Sequence, residues 1–145
     1  AIATPQIAIS VLGERVGDAS AIKMCYGAMT KGVQALVLEL LVAARRLGVD
    51  AALEAQFKAS RSDIYNWVIS ALPAMPPKAY RWVPEMQEIA QTFEAAGMTP
   101  RIFEGPADMY AYIATTALGR ETPENRDKSR TGQDVVRLLA DARPA

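Results

Sequence analysis

An all-α fold built around one long central helix is what this sequence predicts, and two observations predict it. Between Gly17 and Asp50 apolar residues recur every three or four positions, at Ile22, Cys25, Tyr26, Met29, Val33, Leu36, Val37, Leu40, Leu41, Ala44 and Leu47. That spacing marks one face of a helix. Five shorter stretches with helical spacing or helix-boundary residues follow, while β-prone runs are confined to Ile7–Ile9 and Val11–Leu12, broken by Gly13.

The central helix has plausible ends. Asp18 can cap its start, and Gly48 stands where a left-handed C-terminal cap belongs. The helix then runs for roughly 30 residues, about 45 Å at 1.5 Å per residue. After Val33 it is apolar on nearly every side, so other helices or a second subunit are expected to enclose it. Its first half keeps a polar stripe through Ser20, Lys23, Gly27, Thr30 and Gln34, again in steps of three and four.

Downstream, Asp50 is positioned to cap a short helix through Ala59. Ser60 and Asp63 have the spacing of a capping box for a helix that stops at Pro73, and residues 74–78 read as a loop by their prolines. Residues 81–96 form an amphipathic helix with Trp82, Met86, Ile89, Ala90 and Phe93 inside and Glu85, Glu88 and Gln91 outside, ended by Gly97. Pro106 opens the next helix and Gly119 closes it. Residues 120–132 are polar and expected to be mobile, and a last helix covers residues 133–142.

Composition narrows the function classes. The 145 residues suit one domain with a real core, and residues 17–145 are read as that domain. Sixteen basic residues balance sixteen acidic ones, which argues against a dedicated nucleic-acid binder. No unbroken apolar run approaches 18 residues and no signal-peptide pattern opens the chain, so neither a membrane span nor secretion is expected. A single cysteine, Cys25, suits a reducing, cytoplasmic setting. The absence of histidine removes the commonest general base and the commonest metal ligand, so no metal is expected. The opening residues 1–16 read as a linker with a short strand, as in a piece of a longer protein.

Lys23 is the sharpest candidate for chemistry. Near a helix N-terminus the macrodipole disfavours its charge, and partial burial acts the same way, which suits a lysine that passes a proton to or from a hydroxyl or carbonyl. The plain alternative is an ordinary surface lysine with its stem laid on apolar neighbours. Cys25 has no histidine to activate it and reads as a core residue. Glu85 and Glu88 lie one turn apart, but Arg81 precedes Glu85 by four residues, so a solvated ion-pairing face is expected there. The basic residues Arg126, Lys128 and Arg130 alternate with acidic ones and read as a solvated loop. The aromatic pairs Tyr80 with Trp82 and Tyr110 with Tyr112 can line a pocket or pack in a core. No glycine-rich phosphate-binding fingerprint occurs.

Two blocks carry a family resemblance: GlyAspAlaSerAlaIleLysMet with the ThrLysGly, AlaLeu and Glu39 that follow, and residues 81–97. Together they resemble the C-terminal helical domain of the β-hydroxyacid and 6-phosphogluconate dehydrogenase superfamily. They are most similar to a phosphogluconate-dehydrogenase-like subgroup whose C-terminal domain has no assigned function. The resemblance implies an N-terminal Rossmann domain, lying ahead of these residues, that holds NAD or NADP. It implies a homodimer built on the helical domain, and hydride transfer between nicotinamide and a small hydroxy acid or related carbonyl compound. Lys23 falls on the family's catalytic acid/base lysine. Ser20, Gly27, Thr30 and Lys31 fall where the substrate is held. Two positions depart from the pattern: Gly27 stands in place of an asparagine, and Pro84 and Glu85 stand where many members carry a Lys-Asp pair. A non-catalytic helical dimerisation or ligand-binding module is the alternative those departures favour.

Overall fold

A computed structural model describes residues 13–142. The β-prone runs, residues 1–12 of the linker and residues 143–145 lie outside them. Among the described residues there is no strand, and the chain forms six α-helices. These are α1 (Asp18–Arg46), α2 (Asp50–Ser60), α3 (Ser62–Ala71), α4 (Ala79–Ala95), α5 (Arg101–Thr115) and α6 (Gly132–Asp141).

Helix α1 is 29 residues long. A π-helical turn, Ala28–Gly32, interrupts it, so an i→i+5 pattern widens the helix between its two halves. Around that turn α1 meets α4 and α5, and its second half packs on α2, α3, α5 and α6. Helices α4 and α5 form the most extensive pairing. Leu38, Val68, Leu72, Met75, Met86, Ile89, Tyr110, Ile113, Val135 and Leu139 make the sealed centre of the core.

The face that α1 buries is only in part the one the periodicity selects: Val37, Leu41 and Ala44 are buried as expected. Inside lie Gly27, Ala28, Gly32, Ala35, Val37, Leu38, Leu41, Val42 and Ala44. Ile22, Tyr26, Met29, Leu36, Leu40 and Leu47 point outward, from 44% exposed at Leu40 to 77% at Leu47. Small residues line the inner face because neighbouring helices approach closely there. A Cβ at Gly27 would lie 3.2 Å from Ile89 Cδ1, and one at Gly32 would lie 3.5 Å from Phe103. The expected enclosure after Val33 is therefore complete on one side only. By length and a mean hydropathy of 1.4, α1 would pass for a membrane-crossing helix, which the count of unbroken apolar runs did not foresee. Of that apolar window, 56% is buried against the chain's own helices, as in a core helix.

Helix ends agree with the sequence where a glycine closes them. At α1, Gly48 adopts φ 74°. Its N–H bonds to Arg45 O at 3.1 Å, and the Val49 N–H bonds to Ala44 O at 2.9 Å. Gly97 repeats the arrangement after α4, at φ 80°, with the Met98 N–H on Phe93 O at 2.9 Å. Both are Schellman closures that use up orphan carbonyls.

The N-terminal caps fare worse. Asp18 does not cap α1: Gly17 is the N-cap at φ 102°, and the Asp18 carboxylate accepts from Arg15 Nε at 2.6 Å. The Ser60–Asp63 capping box does not form either. The Ser60 hydroxyl donates back to Gln56 O, and α3 begins after Arg61. A real capping box opens α6, where Thr131 and Asp134 each accept from the other's backbone N–H.

The proline-rich segment is not a free loop. It forms two 3-10 turns, Leu72–Ala74 and Pro76–Lys78, with Leu72, Met75, Pro76 and Pro77 buried. Pro106 does not open a helix but sits inside α5, which starts at Arg101. Gly119 lies beyond α5 in a further 3-10 turn, where a Cβ would come within 2.3 Å of Ile113 O. Residues 120–132 are also tied down, contrary to the expected mobility. Arg130 donates to both carboxylate oxygens of Glu121, at 2.6 and 2.7 Å, and Arg126 reaches Pro73 O. That fork-to-fork pair raises the Arg130 pKa further above its already high value.

Candidate functional site

The site is assembled on one side of α1, from its start to the π turn. Ser20 and Lys23 stand on the first two turns and are exposed, so the partial burial expected for Lys23 is absent. Among the described residues no ion pair or hydrogen bond engages the Lys23 ammonium. Four residues on, Gly27 is buried and bare. Thr30 turns its hydroxyl back onto Tyr26 O at 2.9 Å, a bond within its own helix. Cys25 is exposed rather than in the core, because the inner face of α1 passes through Met24, Gly27 and Ala28 instead.

Lys31 lies inside the π turn and is the best-connected member. Its ammonium pairs with Glu85 of α4 and sits 5.5 Å from the centre of the Trp82 ring. The Lys31 carbonyl accepts a 2.7 Å hydrogen bond from the Tyr110 hydroxyl of α5. Trp82 meets Tyr110 edge-on, with ring centres 5.2 Å apart. One residue of the π turn is thus held by two other helices, through its side chain and through its backbone. Burial, with the Glu85 carboxylate beside it, pushes the Tyr110 phenol well above the usual tyrosine range. Tyr110 is therefore a hydrogen-bond donor at any physiological pH.

Glu85 is where sequence reasoning went astray. The spacing places it on the outer face with Arg81 as its partner, but it turns inward to Lys31, while Glu88 and Gln91 remain on the exposed face. The carboxylate lies over Gly27 of α1, whose Cβ position is 3.9 Å from Glu85 Oε1, an ordinary contact distance. Nothing in the spacing of residues 81–96 signals such a contact across helices. Pro84, just before it, faces solvent inside α4. Gln34 ends the polar stripe with its amide oxygen buried and without a hydrogen-bond partner among the described residues. Among those residues no group of three carboxylate or thiol side chains is arranged to hold a metal ion.

The aromatic pairs separate. Tyr80 is exposed, whereas Trp82 and Tyr110 belong to the Lys31 cluster. Tyr112, two residues further along α5, faces the ends of α1 and α6 instead, where its hydroxyl reaches Leu139 O and Ala142 O at 2.7 and 2.8 Å and Arg46 joins the same carbonyls. That knot ties the last turn of α6 to the last turn of α1. Between α1 and α5 runs an apolar groove of about 380 Å³, lined among others by Val33, Leu36, Ile102, Phe103 and Pro106.

Residues 44–113 match the family described as Domain of unknown function (DUF1932). This is a C-terminal helical domain found in NAD(P)-binding hydroxyacid dehydrogenase-like proteins. The matched segment runs from the end of α1 into the last turns of α5. It therefore includes Trp82, Glu85 and Tyr110, and leaves Ser20, Lys23, Gly27, Thr30 and Lys31 outside. No curated protein and no solved structure matches the chain.

Proposed function

We propose that this chain is the C-terminal, substrate-holding domain of an NAD(P)-dependent oxidoreductase that moves a hydride between nicotinamide and a small hydroxy acid or related carbonyl compound. The observation that carries the reading is the placement of Lys23. Its ammonium is unengaged among the described residues and stands on an exposed face, one turn from the bare Gly27 and two turns from the Lys31–Glu85 pair. The family match over residues 44–113 supports the dehydrogenase context. In this reading NAD or NADP is held by a Rossmann domain outside these residues, and the substrate lies between that domain and α1. Lys23 acts as acid/base on the substrate oxygen, and Ser20, Thr30 and Lys31 hold the substrate around it, with Gly27 giving it room. The outward apolar face of α1 forms the contact with a second copy of the chain.

Replacing Lys23 by alanine in the full-length protein tests the assignment. General acid–base catalysis is worth about 10² to 10⁴ in rate, so turnover should fall by at least about a hundredfold with cofactor affinity preserved. Unchanged turnover would remove Lys23 from the chemistry. A second reading, a non-catalytic dimerisation or ligand-binding module, draws on the outward apolar residues of α1. It predicts a stable dimer with no nicotinamide-dependent turnover in the full-length protein.

A further inference from the structure

The Lys31–Glu85 pair carries more than a stabilising contact. The two side chains keep 19% and 28% of their surface, so solvent and small solutes reach them from outside. Among the described residues Glu85 is the sole polar partner of the Lys31 ammonium. Trp82 supports the charge from the other side but offers no hydrogen bond. The ammonium is thus fixed in place, apart from any contact with its own helix, by one carboxylate and one ring face. A solute anion that binds Lys31 must share that ammonium with Glu85 or displace it. Glu85 reaches this position across the face of α1 that carries Gly27, in ordinary contact with it.

The geometry points to Glu85 as a built-in competitor: it occupies the Lys31 ammonium until a small oxyanion, a carboxylate or a phosphate, takes its place beside Trp82. This deepens the substrate-binding role proposed for Lys31 and rests on it. Glu85 is a specificity-determining residue that acts through Lys31. Tethering the competitor gives it a high local concentration. Only ligands whose other contacts make up the difference bind well, and stray cytosolic anions are turned away.

Trp82 provides the readout. The chain has two tryptophans, and Trp67 lies on α3, away from the cluster, so the Trp67→Phe chain reports on Trp82 alone. That chain is titrated with D-glycerate and, separately, with inorganic phosphate, following heat and Trp82 emission. Glu85→Gln in the same background should bind at least one of the two about tenfold tighter, a change of about 1.4 kcal/mol. Lys31→Met should abolish binding. Tightening for glycerate alone identifies a carboxylate site, and for phosphate alone a phosphate site. Equal or weaker binding by Glu85→Gln, or no binding of either anion, overturns the proposal. Glu85→Ala gives the same discrimination if the glutamine variant does not fold. The assay reads binding without hydride transfer, so failure of the Lys23 assignment leaves this outcome readable.

Discussion

Tyr110→Phe is the cleanest single-atom test of how the π turn is held. The tyrosine is fully buried and its ring is fixed by the edge-on contact with Trp82, so phenylalanine keeps the packing and removes only the hydroxyl. What is lost is one 2.7 Å hydrogen bond to the Lys31 carbonyl. A neutral hydrogen bond contributes about 1 kcal/mol net, and an acceptor deprived of its donor adds a little more, for a loss of about 1–2 kcal/mol. In a chain of this size that corresponds to a melting temperature lower by about 3–6 °C. Urea denaturation followed by circular dichroism should show the midpoint falling at constant slope. The pH dependence adds a second signature. Because the folded phenol titrates above its unfolded value, Tyr110 stabilises the fold fully below about pH 10 and loses that contribution as the pH rises further. The advantage of the wild type over Tyr110→Phe should therefore shrink above about pH 10. A variant as stable as the wild type, or a difference that ignores alkaline pH, would show that the hydroxyl does not hold the turn.

Three further outcomes are expected. Gly119→Ala should destabilise by about 2 kcal/mol or more in thermal melts, because its Cβ would sit 2.3 Å from a backbone oxygen that cannot swing away. Thr131→Ala should cost about 1 kcal/mol by removing the cap of α6. Hydrogen bonds from Thr131, with Arg137 nearby, hold the Asp134 carboxyl down at about 2, so its contribution is present above about pH 4 and lost as the pH falls toward 2. Acid titration of the variant should show a shallower loss of helix over that window. Leu36 and Leu40 stand outward on α1, so changing both to glutamate should convert the proposed dimer to a monomer in sedimentation equilibrium while leaving the helix content intact.

The all-α class, the long helix and its glycine-terminated end were legible because each depends on local chemistry. A glycine at positive φ just past the last turn closes a helix by local geometry, and Gly48 and Gly97 do so as expected. The misplaced starts share a cause. Asp18 and Ser60 have the right side chains for caps, but partners one helical turn or less away, Arg15 and Gln56 O, claim them first. Pro106 misled in a different way, since packing of Ala107, Met109, Tyr110 and Ile113 carries α5 through a residue that usually begins a helix. Residues 120–132 look disordered by composition, yet Glu121 and Arg130, nine residues apart, lock the segment with a pairing that no local rule anticipates.

The candidate site shows the same division more sharply. Lys23, Gly27 and Thr30 could be placed on one side of a helix by counting, and Lys31 by the family resemblance, whereas the partnership of Lys31 with Glu85 depends on the widened turn. Inward residues run Met24, Ala28, Gly32 in steps of four across the π segment, then Ala35, Leu38, Leu41 in steps of three. A single 3.6-residue period laid over residues 17–50 averages these two phases and mixes inner residues such as Val37, Leu41 and Ala44 with outward ones such as Leu36 and Leu40. That shift accounts for Ile22, Tyr26 and Met29 lying outside while Gly27, Ala28 and Gly32 lie inside, and for α4 and α5 coming close enough to place Glu85 and Tyr110 on one lysine. Gly27 is then not merely a missing asparagine. Its Cβ position is 3.2 Å from Ile89 Cδ1, so any side chain restored there must push the tip of Ile89 aside, whereas the 3.9 Å to Glu85 Oε1 is an ordinary contact.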